Sequence, residues 1–450
     1  MPVPAAYLAV GGGSLPSSTE VSLEQDLVLA QEVLGADGVV LFAGGSGSRS
    51  VRELATTPLD SHGELLVELG MVFMPRQGRD SRYRASRLLA RAATHKALLS
   101  RLRAEFAQST TQPLLLYIAA HGEQGETASD NAVVLWGGGS FSVRELAQLH
   151  DDSARPLRMV ITSCFSGGFA ESVFRGADPA QGIAVAPRCG LFAGTWDRET
   201  SGCDPNPDRR EQEGYGIHML QALRGRDRDG HPVALAKLDV NGDKRVSFLE
   251  AHAWAKMSST SIDVPTTTSE RYLREVQKVE APAGDLDLLP EDAAVLEALG
   301  SRLDLKDRRD AEQRLEATST QSQALEAEVE EAERAADDAY YALASVLLAR
   351  WPVLDDPYHP DFGDMLSNNE AAISHELRES PQASAFRAAS ERLQELDERY
   401  GELRVKQAML LRYGRASETL RLARALRLRG GEEYDHYRAL LACERGFAGE

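Results

Sequence analysis

Two residue types suited to nucleophilic catalysis stand at the ends of apolar runs in this sequence. Cys164 ends the run "LRMVITSC", and His121 follows the run "PLLLYIAA" with Gly122 directly after it. A cysteine attacks a carbonyl carbon as a thiolate, and a neighbouring histidine promotes the thiolate and exchanges protons near neutral pH. The pair therefore predicts a Cys–His dyad for acyl transfer, provided that the fold brings the two residues together.

The glycines around these residues suit the same chemistry. Gly122 leaves the backbone open where a substrate would approach, and Ser166-Gly167-Gly168 follows the cysteine as a turn. We expect the backbone N–H groups of Gly122 and Cys164 to bind the oxyanion of a tetrahedral intermediate. The alternative at Cys164 is a small buried apolar residue, which is the usual role of a lone cysteine at the end of a strand.

A mostly parallel sheet would position both residues. Apolar strands alternate with amphipathic stretches over residues 1–280: "AYLAVGG", "GVVLFAGG", "PLLLYIAA", "LRMVITS" and "CGLFAGTW". This pattern predicts an α/β fold with helices on both faces of the sheet. Functional groups in such folds gather at the carboxyl ends of the strands. The first helix is expected over "SLEQDLVLAQEVLGA", with Ser22 as its N-cap.

The remainder of the chain predicts a second, α-helical domain. Apolar residues keep a 4-3 spacing over 325–346 and again over 386–410, as in coiled coils. The Pro- and Asp-rich segment "WPVLDDPYHPDFGD" interrupts them, so we expect two long antiparallel helices with an irregular tip and one or two shorter helices. The predicted domains are 1–280 and 286–450, with Val279–Asp285 as the linker. The helical hairpin would be a regulatory or docking element.

Composition excludes several classes of protein. The 450 residues are 42% hydrophobic and 26% charged, with a formal net charge of −19, which disfavours a general nucleic-acid-binding protein. No apolar run approaches the roughly 18 residues of a membrane span, and the N-terminus lacks the basic region of a secretory signal. The four cysteines form no C-x-x-C pair, so we expect neither a disulfide framework nor a zinc site. We expect Cys189 and Cys203 to be structural residues, with no base near Cys203. These features predict a cytoplasmic protein.

The two segments with the dyad are similar to those of a known family. They resemble the caspase-like cysteine peptidases, which include caspases, metacaspases and legumain-type enzymes, in "LLLYIAAHGEQG" and "MVITSCFSGGFAES". The likeness to bacterial members extends to three further segments, "AVGGGSLPSSTEVSLEQD", "GLFAGTWDRETSGCD" and "YGIHMLQAL". The resemblance covers about residues 1–280. It implies a caspase-like fold, protein substrates, Cys164 as the nucleophile and His121 as its partner.

The sequence departs from that family at the position two residues before the nucleophile. Metacaspases and legumains usually carry an acidic residue there, where it helps to form the S1 pocket, but this chain has Thr162. A charge that selects a basic P1 residue must then come from elsewhere. Asp197 is the first candidate and Asp204 the second, because a buried carboxylate binds Arg or Lys through charge-assisted hydrogen bonds. We therefore expect cleavage after Arg or Lys.

A further segment, "DVNGDKRVSFLE", resembles a calcium-binding EF-hand loop. The candidate ligands are Asp239, Asn241, Asp243, Arg245 through its carbonyl oxygen, and Glu250. Lys244 stands where the loop normally has glycine. The alternative is an Asp-rich turn whose side chains bind their own backbone and cap the following helix. Calcium is a possible ligand, and the proposed chemistry requires no cofactor.

Two polar, Arg-bearing segments suggest control by proteolysis. Residues 74–87 and 198–213 are either solvated loops or sites where the chain is cut and activated, as in relatives of the caspases. We expect the full-length chain to be latent until it is cut by itself or another protease, or until a regulatory protein binds the hairpin. The rival hypothesis is a catalytically inert scaffold that acts through its helical hairpin.

Overall fold

The β-strands of the protein build one large sheet and two small ones. In the computed structural model the described residues are 6–54, 61–73, 81–282 and 288–447. The strands are β1 (Tyr7–Gly12), β2 (Gly38–Phe42), β3 (Val51–Leu54), β4 (Ser81–Arg84), β5 (Leu114–Ala120), β6 (Gly122–Glu123), β7 (Ala132–Leu135), β8 (Gly139–Ser142), β9 (Leu157–Ile161), β10 (Arg188–Phe192) and β11 (Thr266–Thr267).

The large sheet has the order β11-β10-β9-β5-β1-β2. All its neighbouring strands run parallel except β10 and β11. The five parallel strands are apolar along nearly their whole length, and β1, β5 and β10 are buried throughout, because both faces of the sheet are covered. The five apolar runs in the sequence all form strands of this sheet, so the predicted mostly parallel α/β sheet is confirmed.

The helices lie between and after the strands. They are α1 (Val21–Leu34), α2 (Ser61–Phe73), α3 (His95–Phe106), α4 (Val143–His150), α5 (Tyr215–Leu223), α6 (Leu235–Leu238), α7 (Phe248–Ser258), α8 (Thr268–Val276), α9 (Pro290–Arg302), α10 (Arg308–Arg350), α11 (Phe362–Glu379), α12 (Pro381–Arg429) and α13 (Glu432–Glu444). In the described parts of the chain, none of these helices has the length and apolar run needed to cross a bilayer.

The start of α1 differs from the prediction that Ser22 is its N-cap. The helix begins at Val21 with Glu20 as the N-cap, and Ser22 lies within the first turn. The Ser22 hydroxyl accepts a hydrogen bond from the backbone N–H of Asp204 at 2.8 Å. The serine therefore fixes a distant loop to the helix instead of capping the helix.

The C-terminal region is helical, as the heptad spacing predicts. The long helices α10 and α12 contain the two heptad segments, and the break after Arg350 coincides with the Pro- and Asp-rich segment. Leu325, Ala332 and Leu396 are buried together, with apolar neighbours from both helices packed around them. The seam is therefore formed by the residues that the spacing indicates.

The chain divides into two compact units whose boundaries differ from the predicted boundary near residue 280. One unit comprises Met1–Glu53, Tyr83–Leu315 and Gln407–Glu450, and the other comprises Leu54–Arg82 and Glu316–Lys406. Residues 407–450 belong to the first unit because their apolar side chains, such as Leu426 and Leu441, join the core that covers one face of the sheet. Part of the predicted linker, residues 283–285, lies outside the described residues.

A disulfide contradicts the expectation that the cysteines form no such bond. Cys189 in β10 is joined to Cys443 in α13, and Cys203 and Cys164 are free. The sequence gives little sign of this bond because the two cysteines are 254 residues apart and share no motif. The bond attaches the C-terminal helix to the sheet strand that follows the candidate nucleophile.

Reduction of this disulfide should destabilise the first unit substantially. A cross-link that closes a loop of 254 residues restricts the unfolded chain, and the loop-entropy argument gives about 5 kcal/mol of stabilisation. We expect Cys443→Ser to lower the urea midpoint of unfolding as much as a reducing agent does. A midpoint that neither treatment changes would show that the bond contributes nothing to stability.

Candidate active site

The sheet brings His121 and Cys164 to the same edge. Strands β5 and β9 are parallel neighbours, and Ile118 pairs with Ile161 in their register. His121 and Cys164 each follow their member of this pair by three residues. Both therefore leave the carboxyl edge of the sheet at the same level, next to β1, where the order of strand connections reverses direction. This is where ligand sites form in open parallel sheets.

Gly122 must be glycine because the backbone after β9 approaches it closely. A Cβ atom at this position would lie 2.0 Å from the carbonyl oxygen of Cys164. The His-Gly sequence thus has a packing reason as well as a chemical one: it lets the two strand ends touch.

The turn after Cys164 is tight and firmly held. Phe165 has a φ of +58°, in the left-handed region that is unfavourable for a residue with a side chain. The buried Asn131 side chain donates to the carbonyl oxygens of Phe165 at 2.9 Å and Trp196 at 2.7 Å. A Cβ atom on Gly167 or Gly168 would lie 2.5–2.6 Å from a neighbouring backbone oxygen. The Ser-Gly-Gly sequence is therefore required by close packing beside the cysteine, at a strained turn of the kind found at functional sites.

His121 is held by the segment between β1 and α1. Its Nε2 lies 2.9 Å from the carbonyl oxygen of Ser18 and 3.0 Å from a carboxylate oxygen of Glu20. A carbonyl oxygen can only accept a hydrogen bond, so Nε2 carries the proton and donates it. Nδ1 is therefore the ring nitrogen that can exchange protons with a reacting group. Glu20 thus orients His121, as the acidic member of a catalytic triad does.

The partner of Nδ1 is Cys203, which contradicts the expectation that no base lies near this cysteine. The Cys203 Sγ atom lies 3.6 Å from His121 Nδ1. In the described residues, the hydrogen bonds of the Cys164 Sγ atom go to Thr200: Sγ accepts from its backbone N–H at 3.3 Å and from its hydroxyl at 3.7 Å, and donates to its carbonyl oxygen at 3.6 Å. The structure therefore pairs His121 Nδ1 with Cys203, and the Cys164 Sγ atom with Thr200.

These contacts favour a protonated His121. The pKa of His121 is raised from 6.5 to about 11 by its hydrogen bonds to Cys203 and to the Glu20 carboxylate. The surroundings of the Cys203 thiol raise its own pKa, mainly by desolvation, although the residue as a whole is exposed. Cys203 and the Glu20 carboxylate together stabilise the imidazolium. Because the raised pKa lies above the ordinary value, this stabilisation is complete below pH 6.5 and is lost as pH rises through about 11.

Removing the Glu20 charge should make His121 lose its proton at lower pH. Glu20→Gln keeps an oxygen that can accept from Nε2–H but removes the carboxylate, and we expect the pKa of His121 to fall by about 1–3 units. NMR titration of the ring measures this shift directly, and the alkaline limb of any pH–rate profile should move in the same direction. Glu32→Gln, at an exposed position in the helix that Glu20 caps, is the control. An unchanged titration in Glu20→Gln would show that the carboxylate does not act on the histidine.

A pocket lies beside Cys164 and carries a buried acid. Its wall includes Thr162, Cys164 and Cys203, together with Asp26 from α1. Asp26 is only 7% exposed, and one of its carboxylate oxygens accepts from the guanidinium of Arg209. The pocket therefore combines a thiol with a carboxylate that already binds an arginine side chain.

The structure places the sequence-predicted S1 residues differently. Thr162 lines the pocket beside Cys164. Asp197 lies on another cavity, where it accepts from the Thr195 hydroxyl at 2.7 Å. Asp204 caps the backbone N–H of Asn206 at 2.8 Å and is absent from the described wall of the pocket. Asp26 is the buried acid on the wall of the pocket that contains Cys164.

The EF-hand-like loop uses its carboxylates within the protein. Asp239 accepts from the backbone N–H groups of residues 242, 243 and 244 at 2.7–3.0 Å. Glu250 is buried and accepts from Val240 and Asn241 N–H groups as well as from Ser247, where it completes a capping box. These contacts are those of the alternative interpretation, an Asp-rich turn that caps α7. Calcium binding remains a prediction.

Sequence reasoning missed Glu20 and Asp26, which both lie in "TEVSLEQD". The position of this segment in the sequence could have indicated them, because it follows β1, and the first strand of a doubly wound sheet commonly leads into a ligand site. No protein-family model and no curated protein matches this chain. The function is therefore inferred from the sequence and from the geometry of the site.

Proposed function

We propose that this chain is a caspase-like cysteine endopeptidase that cleaves after Arg or Lys. The observation that carries the proposal is the matched register of β5 and β9, which sets His121-Gly122 against Cys164 at the carboxyl edge of the sheet. The caspase-like segments quoted above support it. The buried Asp26 in the adjoining pocket supports the preference for a basic residue.

In the proposed reaction the Cys164 thiolate attacks the scissile carbonyl carbon. The C–N bond then breaks, the amine leaves with a proton from His121 Nδ1, and a thioester remains on Cys164. A water molecule attacks the thioester, giving the carboxylic acid product and the free thiol. The backbone N–H groups of Gly122 and Cys164 would bind the oxyanion at both steps. Glu20 would keep the ring charged and oriented, so that Nδ1 faces the reacting atoms.

One specific contact supports the rival hypothesis of an inert scaffold. His121 Nδ1 faces Cys203 in this structure, whereas a working dyad needs it to face Cys164 or the leaving amine. Either the chain is inert, or it is latent and the segment with Cys203 must move. We favour latency, because Glu20, Ser18 and Gly122 hold the ring and the strand end as a peptidase requires.

The other features of the proposal come from the sequence. Protein substrates, an activating protease or a regulatory protein on the helical hairpin, and a requirement for no cofactor remain predictions. A cytoplasmic location also remains a prediction, and the Cys189–Cys443 disulfide argues against a strongly reducing compartment, because disulfides persist mainly where conditions are oxidising. The arginines of 81–87 and 198–213 are candidate cutting sites, whereas 74–80 lies outside the described residues.

A peptide library tests the proposed activity. The purified chain, before and after limited trypsin treatment to cut exposed Arg-bearing loops, is incubated with the library, trypsin is inhibited, and the residue before each cut is identified. We expect cuts after Arg and Lys that are absent in Cys164→Ala treated in the same way. A chain that cuts no peptide in either form would favour the scaffold.

A further inference from the structure

One loop of the chain covers the candidate catalytic groups. We call residues 200–213 the covering loop. One buried carboxylate holds the chain at both sides of the loop: Asp263 accepts from the backbone N–H of Ser201, near the start of the loop, at 2.6 Å and from that of Tyr215, two residues after the loop, at 2.8 Å. Asp263 is fully buried. The loop is thus anchored at its ends and spans the pocket between them.

The first half of the covering loop contacts both members of the dyad. Thr200 bonds to the Cys164 Sγ atom, and Cys203 lies at His121 Nδ1. Asp204 then exchanges two hydrogen bonds with Ser22 in α1. The two atoms that would react with a substrate are therefore occupied by the chain itself.

The second half of the covering loop places a basic side chain in the pocket. The Arg209 guanidinium donates to the Asp26 carboxylate through Nη2 and to the Gln212 side chain through Nη1 at 2.7 Å. Gln212 and Pro207 are in turn bonded to Gln25 of α1. Arg209 is three-quarters buried as a side chain, whereas its neighbour Arg210 is 75% exposed and pairs with Asp208. Because Arg209 is buried and Arg210 is not, we infer that the pocket binds the Arg209 side chain specifically.

We propose that Arg209 is an internal ligand of the pocket that accepts the basic side chain of the substrate, so that the covering loop blocks the site of the resting chain. This inference rests on the proposed function for the identity of the substrate. It assigns Asp26 as the residue that binds the guanidinium, and it makes release of the loop the step that opens the site. Any change that removes Arg209 from Asp26 should leave a free carboxylate beside Cys164.

The test measures occupancy of the pocket separately from catalysis. In the full-length Cys164→Ala chain, benzamidine serves as an arginine-like probe and its binding is measured by calorimetry. If the loop is closed at least nine-tenths of the time, removing the internal ligand should tighten benzamidine binding about tenfold or more. Arg209→Ala and Arg209→Gln are both used, because glutamine removes the charge that Asp26 binds while keeping a polar side chain that can preserve the loop if alanine destabilises it. Arg210→Ala is the matched control and should change nothing.

Two results would overturn the internal-ligand proposal. One is benzamidine binding that is equally weak with and without Arg209. The other is a gain in affinity that persists when Asp26→Asn is added, since the probe would then bind elsewhere. Conversely, a gain that Asp26→Asn abolishes supports the proposal.

The same variants with Cys164 intact separate this inference from the proposed function. We expect Arg209→Gln to cleave an Arg-P1 peptide at least tenfold faster than the wild type. Equal, substantial cleavage by the wild type and Arg209→Gln would overturn the proposal that the covering loop blocks the site, but it would support the peptidase assignment. Tighter benzamidine binding without cleavage by either would support the internal ligand and contradict the peptidase.

Discussion

Replacing Cys164 with alanine is expected to lower kcat/KM for an Arg-P1 peptide by about 10⁴-fold, because the acyl-enzyme cannot form without the thiol. The substitution removes only the sulfur atom of a half-buried residue, so the fold should be retained. The loss should be measured in the Arg209→Gln background as well as in the wild type, so that latency does not hide it. His121→Ala should cause a loss of similar size, since residues that act as a unit fail together.

Cys203 provides the matched control for this experiment. It lies at His121 Nδ1, so it is the other thiol that could act as a nucleophile. Cys203→Ala should retain activity or gain it, because it removes one contact of the covering loop. Retained cleavage in Cys164→Ala together with its loss in Cys203→Ala would transfer the role of nucleophile to Cys203.

Removing the charge of Asp26 should abolish the preference for a basic P1 residue. A charge pair that is buried with the substrate contributes about 2–5 kcal/mol. Asp26→Asn in the Arg209→Gln background should therefore reduce the ratio of kcat/KM for Arg-P1 over norleucine-P1 peptides by about 30-fold or more. The Arg209→Gln background is needed because Asp26→Asn in the wild type would also release the covering loop.

The residues first expected to select the basic side chain serve as controls. Asp197 lies on another cavity and Asp204 caps its own loop, so Asp197→Asn and Asp204→Asn should leave the ratio unchanged. A ratio that falls in Asp197→Asn and not in Asp26→Asn would show that Asp197, and not Asp26, selects the basic P1 residue. A preference for Asp at P1 would contradict the role of Asp26 altogether.

The sequence predicted the strand ends well, for a physical reason. Strands buried on both faces are continuous apolar runs, and the residue after each run must lie at the carboxyl edge of a parallel sheet. This reasoning located His121 and Cys164 without knowledge of the strand order. The heptad segments of α10 and α12 were equally readable, because their apolar spacing directly specifies the buried side of each helix.

The contacts made by loops and distant segments could not be predicted in this way. The contacts of Cys203 with His121 and of Arg209 with Asp26 form because the covering loop folds back over α1, and no periodicity specifies the path of a polar loop. The disulfide is similar, since a bond between Cys189 and Cys443 depends on where α13 docks. Such long-range contacts are set by tertiary packing, and a search for local motifs does not detect them.

Labelling with a peptidyl-arginine electrophile tests the central claim most directly. An acyloxymethyl ketone with arginine at P1 is incubated with the wild type, Arg209→Gln and His121→Ala, and the modified cysteine is located by peptide mapping. We predict a single adduct on Cys164, formed faster in Arg209→Gln than in the wild type and far more slowly in His121→Ala. An adduct on Cys203, or equally slow labelling of both free cysteines in all three proteins, would contradict the account.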